Sequence, residues 1–349
     1  MKKAKFKILS IDGGGIRGVI PCVILKFIED QTGKKISELF NLLSGTSTGG
    51  IIAIGLSCPG DDGLNKYDAE TMLGLYKENG NDIFSGRKKD FLSVLSSVHK
   101  TPRMLFENPY NIDNLEKLLD KYFGKTKLNE TLTELLITTY DIESGRPFYY
   151  SSRLAAKKEE ENFLLKIIAR STSAAPTFFT PLLTKYDQSN DVAFVDGGVF
   201  ANNPSLLAYA EAKELWKIQQ KAGKAFTPEV IKDDADLPFF MLSLGTGYHP
   251  QSIDGKDASK WRSMEWLEPL LSNIFMNSVA ASTDYAMQHL LPPYEDDTLR
   301  YQRLNFEIPE KNTAMDNASE ENINTLISLA EEYVRKNEAT LLKVCEQLS

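Results

Sequence analysis

The chain has 349 residues, 42% of them apolar and 25% charged, and its 40 basic and 48 acidic side chains leave a net charge of −8. That length and apolar share supply a sizeable core and exclude disordered, collagen-like and coiled-coil classes, and the acidic balance argues against a dedicated binder of nucleic-acid polymer. Three scattered cysteines, Cys22, Cys58 and Cys345, are too few for a disulfide framework or a zinc site, so neither is expected and a reducing, cytoplasmic compartment is the simplest home.

The opening MKKAKFKILSID is basic, but Asp12 interrupts its short apolar run after Ile11. The most apolar stretch, Leu42 to Cys58, is broken by Ser44, Gly45, Thr46, Ser47, Thr48, Gly49 and Gly50. Neither a signal peptide nor a span of ~20 apolar residues is expected, and the reading is a soluble protein.

In chain order, KFKILSI (5–11) reads as a short buried strand, Gly13 to Gly18 as a tight turn, and VIPCVILKFIEDQTG as a helix ending at Gly33. FNLLS (40–44) is strand-like, GTSTGG turns, and IIAIGLSC is a short buried helix. Residues 59–130 are less regular and read as an inserted helical cap. LLITTYD (135–141) and PFYYSS (147–152) look like paired strands, and NFLLKIIARSTSAAP a helix running into a proline-ended loop. VAFVD (192–196) is a strand ending on an acid, and PSLLAYAEAKELW a helix with Pro204 suited to its first turn. FFMLSLGTG (239–247) is another strand-to-glycine turn, WRSMEWLEPLLSNIFMNSVAAS a helix and LRYQRLNFEI an edge strand. One C-terminal helix is predicted over 320–348, with Ser319 as its cap. Strands alternating with helices predict a three-layer α/β/α domain on a central, mostly parallel sheet. The catalytic domain spans 5–310, with 59–130 as its cap and 311–349 as a helical extension packed on it.

Three motifs carry chemistry. Gly45-Thr46-Ser47-Thr48-Gly49 is a G-x-S-x-G between a predicted strand and a predicted helix, a setting that strains the serine backbone and lifts its hydroxyl above the sheet at a helix N-terminus. Asp12-Gly13-Gly14-Gly15-Ile16-Arg17-Gly18 follows the first strand, and its successive glycines expose the backbone N–H groups that a tetrahedral oxyanion needs. The loop also fits G-x-G-x-x-G, but Asp12 would set a carboxylate beside a pyrophosphate and no acid ends the second strand, which counts against a dinucleotide. A P-loop is excluded because neither glycine loop runs into Lys-Ser/Thr. Arg17 can hold an anionic headgroup or brace the loop through a salt bridge. The third motif, Asp196-Gly197-Gly198, ends the VAFVD strand, and the carboxyl ends of the strands are expected to gather it at one rim with Ser47 and the triple-glycine loop. Spacing leaves two designs open: a Ser47–Asp196 dyad, or an α/β-hydrolase triad completed by His249.

Taken in this order, D-G-G-G-I-R-G, G-T-S-T-G-G and D-G-G resemble the patatin-like phospholipase family. YDIESGRPFYYSS (140–152), ARSTSAAPTFF (169–179), FVDGGVFANNP (194–204) and FMLSLGTG (240–247) are similar to it too, so the resemblance spans roughly residues 5 to 250. The C-terminal part, including AMDNASEENI (314–323), is most similar to bacterial, intracellular members. The resemblance implies a patatin-like fold and a lipid acyl hydrolase acting on membrane phospholipid without metal or organic cofactor. It implies Ser47 as nucleophile, Asp196 as general base, the N–H groups of Gly14 and Gly15 as oxyanion hole, and Arg17 as the family's basic residue. Gly13, Gly18, Gly45, Gly49, Gly197 and Gly198 complete the motifs, and His249 becomes a loop histidine.

Two further expectations concern partners. Residues 83–106 mix Arg87, Lys88, Lys89, Lys100 and Arg103 with phenylalanines and leucines, a composition suited either to docking at an anionic membrane interface or to a cap packed on the body. Some bacterial proteins of this resemblance are membrane-degrading effectors, switched on by a cyclic nucleotide in anti-phage defence or delivered by pathogens, and that is the alternative biological role. Oligomeric state is left open by the sequence.

Overall fold

The computed structural model describes residues 4–84, 110–186, 190–222, 237–250, 253–262 and 276–349. The strands are β1 (Phe6–Ile11), β2 (Leu42–Thr46), β3 (Glu134–Asp141), β4 (Arg146–Ser151), β5 (Leu182–Lys185), β6 (Asp191–Asp196), β7 (Phe239–Leu244) and β8 (Tyr301–Leu304). The helices of eight or more residues are α1 (Val19–Thr32), α2 (Thr48–Ser57), α3 (Ala69–Ile83), α4 (Ile112–Phe123), α5 (Leu165–Thr172), α6 (Ser205–Ala222), α7 (Met276–Leu290), α8 (Glu320–Lys336) and α9 (Glu338–Leu348).

The strands form one sheet, paired in succession β5-β6-β3-β2-β1-β7-β8, with β2 and β6 following one another along one edge of β3 and β4 on its other edge. β1 and β7 are apolar almost throughout because both of their faces are covered. Phe6 and Ile8 of β1 pack with Phe239 and Met241 of β7 under Ala208, Ala212 and Trp216 of α6 and Met287 of α7. Leu9 and Ile11 face the other way, into a larger core shared with α1, α2, α5, α8 and α9. Each large side chain buried in this way contributes roughly 1.5–3 kcal/mol. The result is three layers, helix on sheet on helix.

Local signals place most helix ends. α1 stops at Gly33, which takes the left-handed conformation at φ 67° and donates its N–H to Glu29 O. Ser319 caps α8 through its side chain, as its position suggests. The single helix expected over 320–348 is instead two: Asn337 turns its Nδ2 and its backbone N–H back onto Tyr333 O, closing α8 before α9 begins. β2 also runs two residues further than expected, through Gly45 and Thr46, so the turn is concentrated at Ser47. A further strand, LLTK (182–185), is formed where the sequence pattern predicts none. In the stretch expected as a cap, α3 and α4 contribute Met72, Leu75, Leu115 and Phe123 to the larger core. Residues 85–106 of the basic, apolar stretch lie outside the described residues, as do 263–275 of the predicted helix ahead of α7.

One departure from a parallel sheet decides the site. β1, β2, β3, β7 and β8 run parallel, but β6 is antiparallel to β3. β2 pairs with β3 through Thr46 opposite Thr138, and β6 pairs with it through Asp196 opposite Thr139. β4 occupies the other edge of β3 across both positions, so β2 and β6 share one edge and meet head to head. Asp196 therefore reaches Ser47 from the opposite direction, not from the carboxyl rim of a parallel sheet as expected from sequence.

Candidate active site

Ser47 stands between the end of β2 and the start of α2 with φ 55° and ψ −123°, a conformation an L-residue adopts only under constraint, at a cost of about 1–3 kcal/mol. The constraint is steric. A Cβ at Gly45 would run into the backbone of Gly49 and Gly50, and one at Gly49 into the carbonyl of Ile11, so the turn closes only with glycine at both places. Two hydroxyls then hold it. The Ser47 N–H donates to Thr172 Oγ1 at 2.8 Å, and that hydroxyl donates onward to Thr138 O. Thr46 Oγ1 donates to Ala201 O and pairs with Thr138 Oγ1, both at 2.7 Å.

Asp196 is 4% exposed. Burial pushes its carboxyl up to about 7, while the Ser47 hydroxyl and the Gly198 N–H pull the other way. The Gly198 N–H lies 2.7 Å from Asp196 Oδ1. Gly197 packs its Cα against Thr138, which lets the chain turn into the short helix Gly198–Ala201. A carboxylate with that pKa, touching a hydroxyl, is suited to take a proton near neutral pH.

The glycine loop can be followed amide by amide. Asp12 N–H bonds Leu244 O at 2.9 Å, Gly13 N–H bonds Asn202 O at 3.0 Å, Ile16 N–H bonds Met315 O at 2.9 Å and Arg17 N–H bonds Gly14 O at 3.2 Å. Among the described residues, the amides of Gly14 and Gly15 have no such acceptor, and Gly13 is brought within contact of Ser47 Cβ. Gly15 has φ 58° and lies against the Met315 carbonyl, and Gly18 lies against Thr48 Oγ1. The loop thus presents two unengaged donors beside a serine.

Arg17 forms no ion pair among the described residues; it braces the loop through carbonyls, from Nε to Gly14 O and from Nη1 to Gly247 O, each 3.4 Å. Burial lowers its pKa to about 10, with Asp12 opposing, so it stays cationic at neutral pH. The salt bridge behind the loop belongs to Arg303, which holds Asp12 at 2.6 and 3.3 Å and also reaches Ser243 Oγ at 2.7 Å. His249 points its Nδ1 at Ile308 O, 3.2 Å away, and lines a cavity of about 960 Å³ that neither Ser47 nor Asp196 lines. Among the described residues the partners of the Asp196 carboxyl are Ser47 and Gly198, and His249 is not brought to them.

Sequence reading missed Thr172, Asn202, Thr246, Met315 and Arg303. The first four lie inside stretches already noted for their resemblance, but their hydrogen bonds depend on the fold. Arg303 sits in the mixed strand YQRL, where nothing local marks its charge as one paired in the interior.

The family model described as Patatin-like phospholipase matches residues 9–209. The chain belongs to the patatin-like phospholipase family. It is 33% identical over 347 residues to "Patatin-like protein 2" of Oryza sativa subsp. indica, covering 95% of this chain and 84% of that one. It is 32% identical to "Patatin-like protein 2" of Arabidopsis thaliana, covering 94% and 83%. "Probable inactive patatin-3-Kuras 1" of Solanum tuberosum is 29% identical, covering 95% and 86%. A relative so named means that kinship supports the class of reaction, and competence has to be argued from residues. All three are plant proteins and do not bear on a bacterial, intracellular subtype. No helix among the described residues is long and apolar enough to cross a membrane.

Proposed function

We propose that this patatin-like protein is a serine-dependent lipid acyl hydrolase in which Ser47 is the nucleophile and Asp196 the only general base. The observation that carries the reading is the head-to-head meeting of β2 and β6, which sets a strained serine against a buried carboxyl with a pKa near 7. Asp196 takes the hydroxyl proton as Oγ attacks the ester carbonyl, and the Gly14 and Gly15 amides receive the oxyanion. Collapse expels the lysolipid or alcohol, which leaves with the proton from Asp196. Water then attacks the acyl-enzyme, with Asp196 again as base, and the fatty acid departs. Membrane phospholipid is the substrate class that the family favours, reached by transient interfacial contact.

The test is fatty-acid release from phospholipid vesicles, and turnover of a soluble short-chain ester, by the wild type, Ser47→Ala, Asp196→Asn and His249→Asn. Loss of at least 10³-fold in the first two variants is expected, with His249→Asn close to wild type. A fluorophosphonate adduct should form on Ser47 and be absent from Ser47→Ala. Undiminished release by Ser47→Ala would refute the assignment, and loss of activity in His249→Asn would restore the triad.

A further inference from the structure

The two peptide units that supply the oxyanion donors are held from behind. In a trans peptide the C=O of one residue and the N–H of the next lie in one plane and point in opposite directions. The Gly14 N–H therefore shares its plane with the Gly13 carbonyl. That carbonyl accepts two hydrogen bonds: from Thr246 Oγ1 at 2.8 Å and from Asn202 Nδ2 at 3.4 Å. Thr246 is 3% exposed and Asn202 8% exposed, so neither bond is shared with bulk water. Thr246 also packs on the Gly14 Cα, and the Asn202 backbone carbonyl takes the Gly13 N–H, so Asn202 holds the preceding Asp12–Gly13 peptide as well.

We propose that Thr246 and Asn202 are positioning residues for the oxyanion hole: by donating to the Gly13 carbonyl they aim the Gly14 N–H at the developing oxyanion and polarise it. Polarisation follows because a carbonyl that accepts hydrogen bonds leaves its own peptide N–H a stronger donor. Asn202 adds a second link. It follows the helical turn after Asp196, so its grip on Gly13 ties the spacing of the oxyanion donor to the element that carries the base. Its Oδ1 is buried with no partner among the described residues, so its polar contact in the fold is the one that Nδ2 makes with the carbonyl.

The inference rests on the hydrolase reading, and the experiment separates the two. Thr246→Val keeps the shape and deletes the donor; Thr246→Ser keeps the hydroxyl; Asn202→Leu keeps the volume and deletes both polar atoms. Full-length variants are assayed on a soluble ester for kcat and KM, with melting temperature recorded for each. Losing an oxyanion donor outright costs about 10²–10³ in rate, so mis-aiming one should lower kcat by about 10- to 100-fold in Thr246→Val. KM should stay within about threefold, and Thr246→Ser should recover most of the rate. Asn202→Leu should lose kcat while its melting temperature holds or rises, since the unpartnered oxygen is gone. The double variant Thr246→Val with Asn202→Leu should lose less than the product of the two single losses, because both act through one carbonyl. Wild-type kcat in Thr246→Val, or Thr246→Ser as impaired as Thr246→Val, overturns the inference and leaves the hydrolase standing. A wild type that releases no acid and takes up no fluorophosphonate overturns both.

Discussion

Replacing Asp196 by Asn should abolish activity and stabilise the protein, by an amount that grows with pH. The carboxyl is moved from 3.8 to about 7 by burial, about three units, and each unit is worth about 1.4 kcal/mol between the two protonation states. Between about pH 4 and about pH 7 the folded protein holds a proton that the unfolded chain has released. Stability therefore falls as pH rises through that window, by up to about 4 kcal/mol, and is flat above it. Asparagine cannot ionise, and its Oδ1 can still accept the Gly198 N–H that Asp196 Oδ1 accepts at 2.7 Å. The two proteins should thus melt together near pH 4 and separate toward pH 8, with the inactive variant the more stable. Urea unfolding of both at several pH values measures the gap directly. On a soluble ester, wild-type kcat/KM should rise with pH through an acid limb near 7, because only ionised Asp196 accepts the serine proton. A stability gap that does not widen between pH 4 and pH 8, together with an acid limb near 4, would refute the account of Asp196 as a buried base.

Ser47→Gly should raise stability by about 1 kcal/mol in chemical unfolding, because glycine adopts φ 55° freely, whereas Ser47→Ala retains the strain and should change little. Gly14→Ala would drive a methyl into Thr246 and displace the oxyanion loop, so kcat should fall about 100-fold with secondary structure retained by circular dichroism. Arg303→Met leaves the Asp12 carboxylate buried without its cation, and should cost about 3–5 kcal/mol by urea unfolding. Adding Asp12→Asn to Arg303→Met should recover part of that loss.

Much of the site was legible because its motifs are local. The glycines at 45 and 49 are required by close backbone approach within a few residues, so the elbow at Ser47 could be read from spacing alone. The same holds for the Gly33 cap, the Ser319 cap and the strands β1 and β7, whose mostly apolar residues on both faces mark burial on both sides. The break at Asn337 was less legible, because helical periodicity continues across it and only the side chain's return to Tyr333 O ends the helix. Arg17 shows the other limit. Its charge invited a salt bridge, yet Arg303, 286 positions later, makes the buried pair with Asp12 and Arg17 turns to carbonyls.

The sequence by itself singled out the candidate reacting groups, the strained turn and the glycines that leave amides free, since each depends on backbone geometry within one loop. Only the tertiary structure decided how those groups meet. Strand direction is set by pairing along the sheet, and nothing in VAFVD reveals that it runs against β3 and ends opposite Thr139, next to the point where β2 ends. Nor could it show that hydroxyls from Thr172 and Thr246 would come to rest on Ser47 and Gly13. Those contacts join residues 125 and 233 positions apart, and they exist only once the sheet has closed the distance.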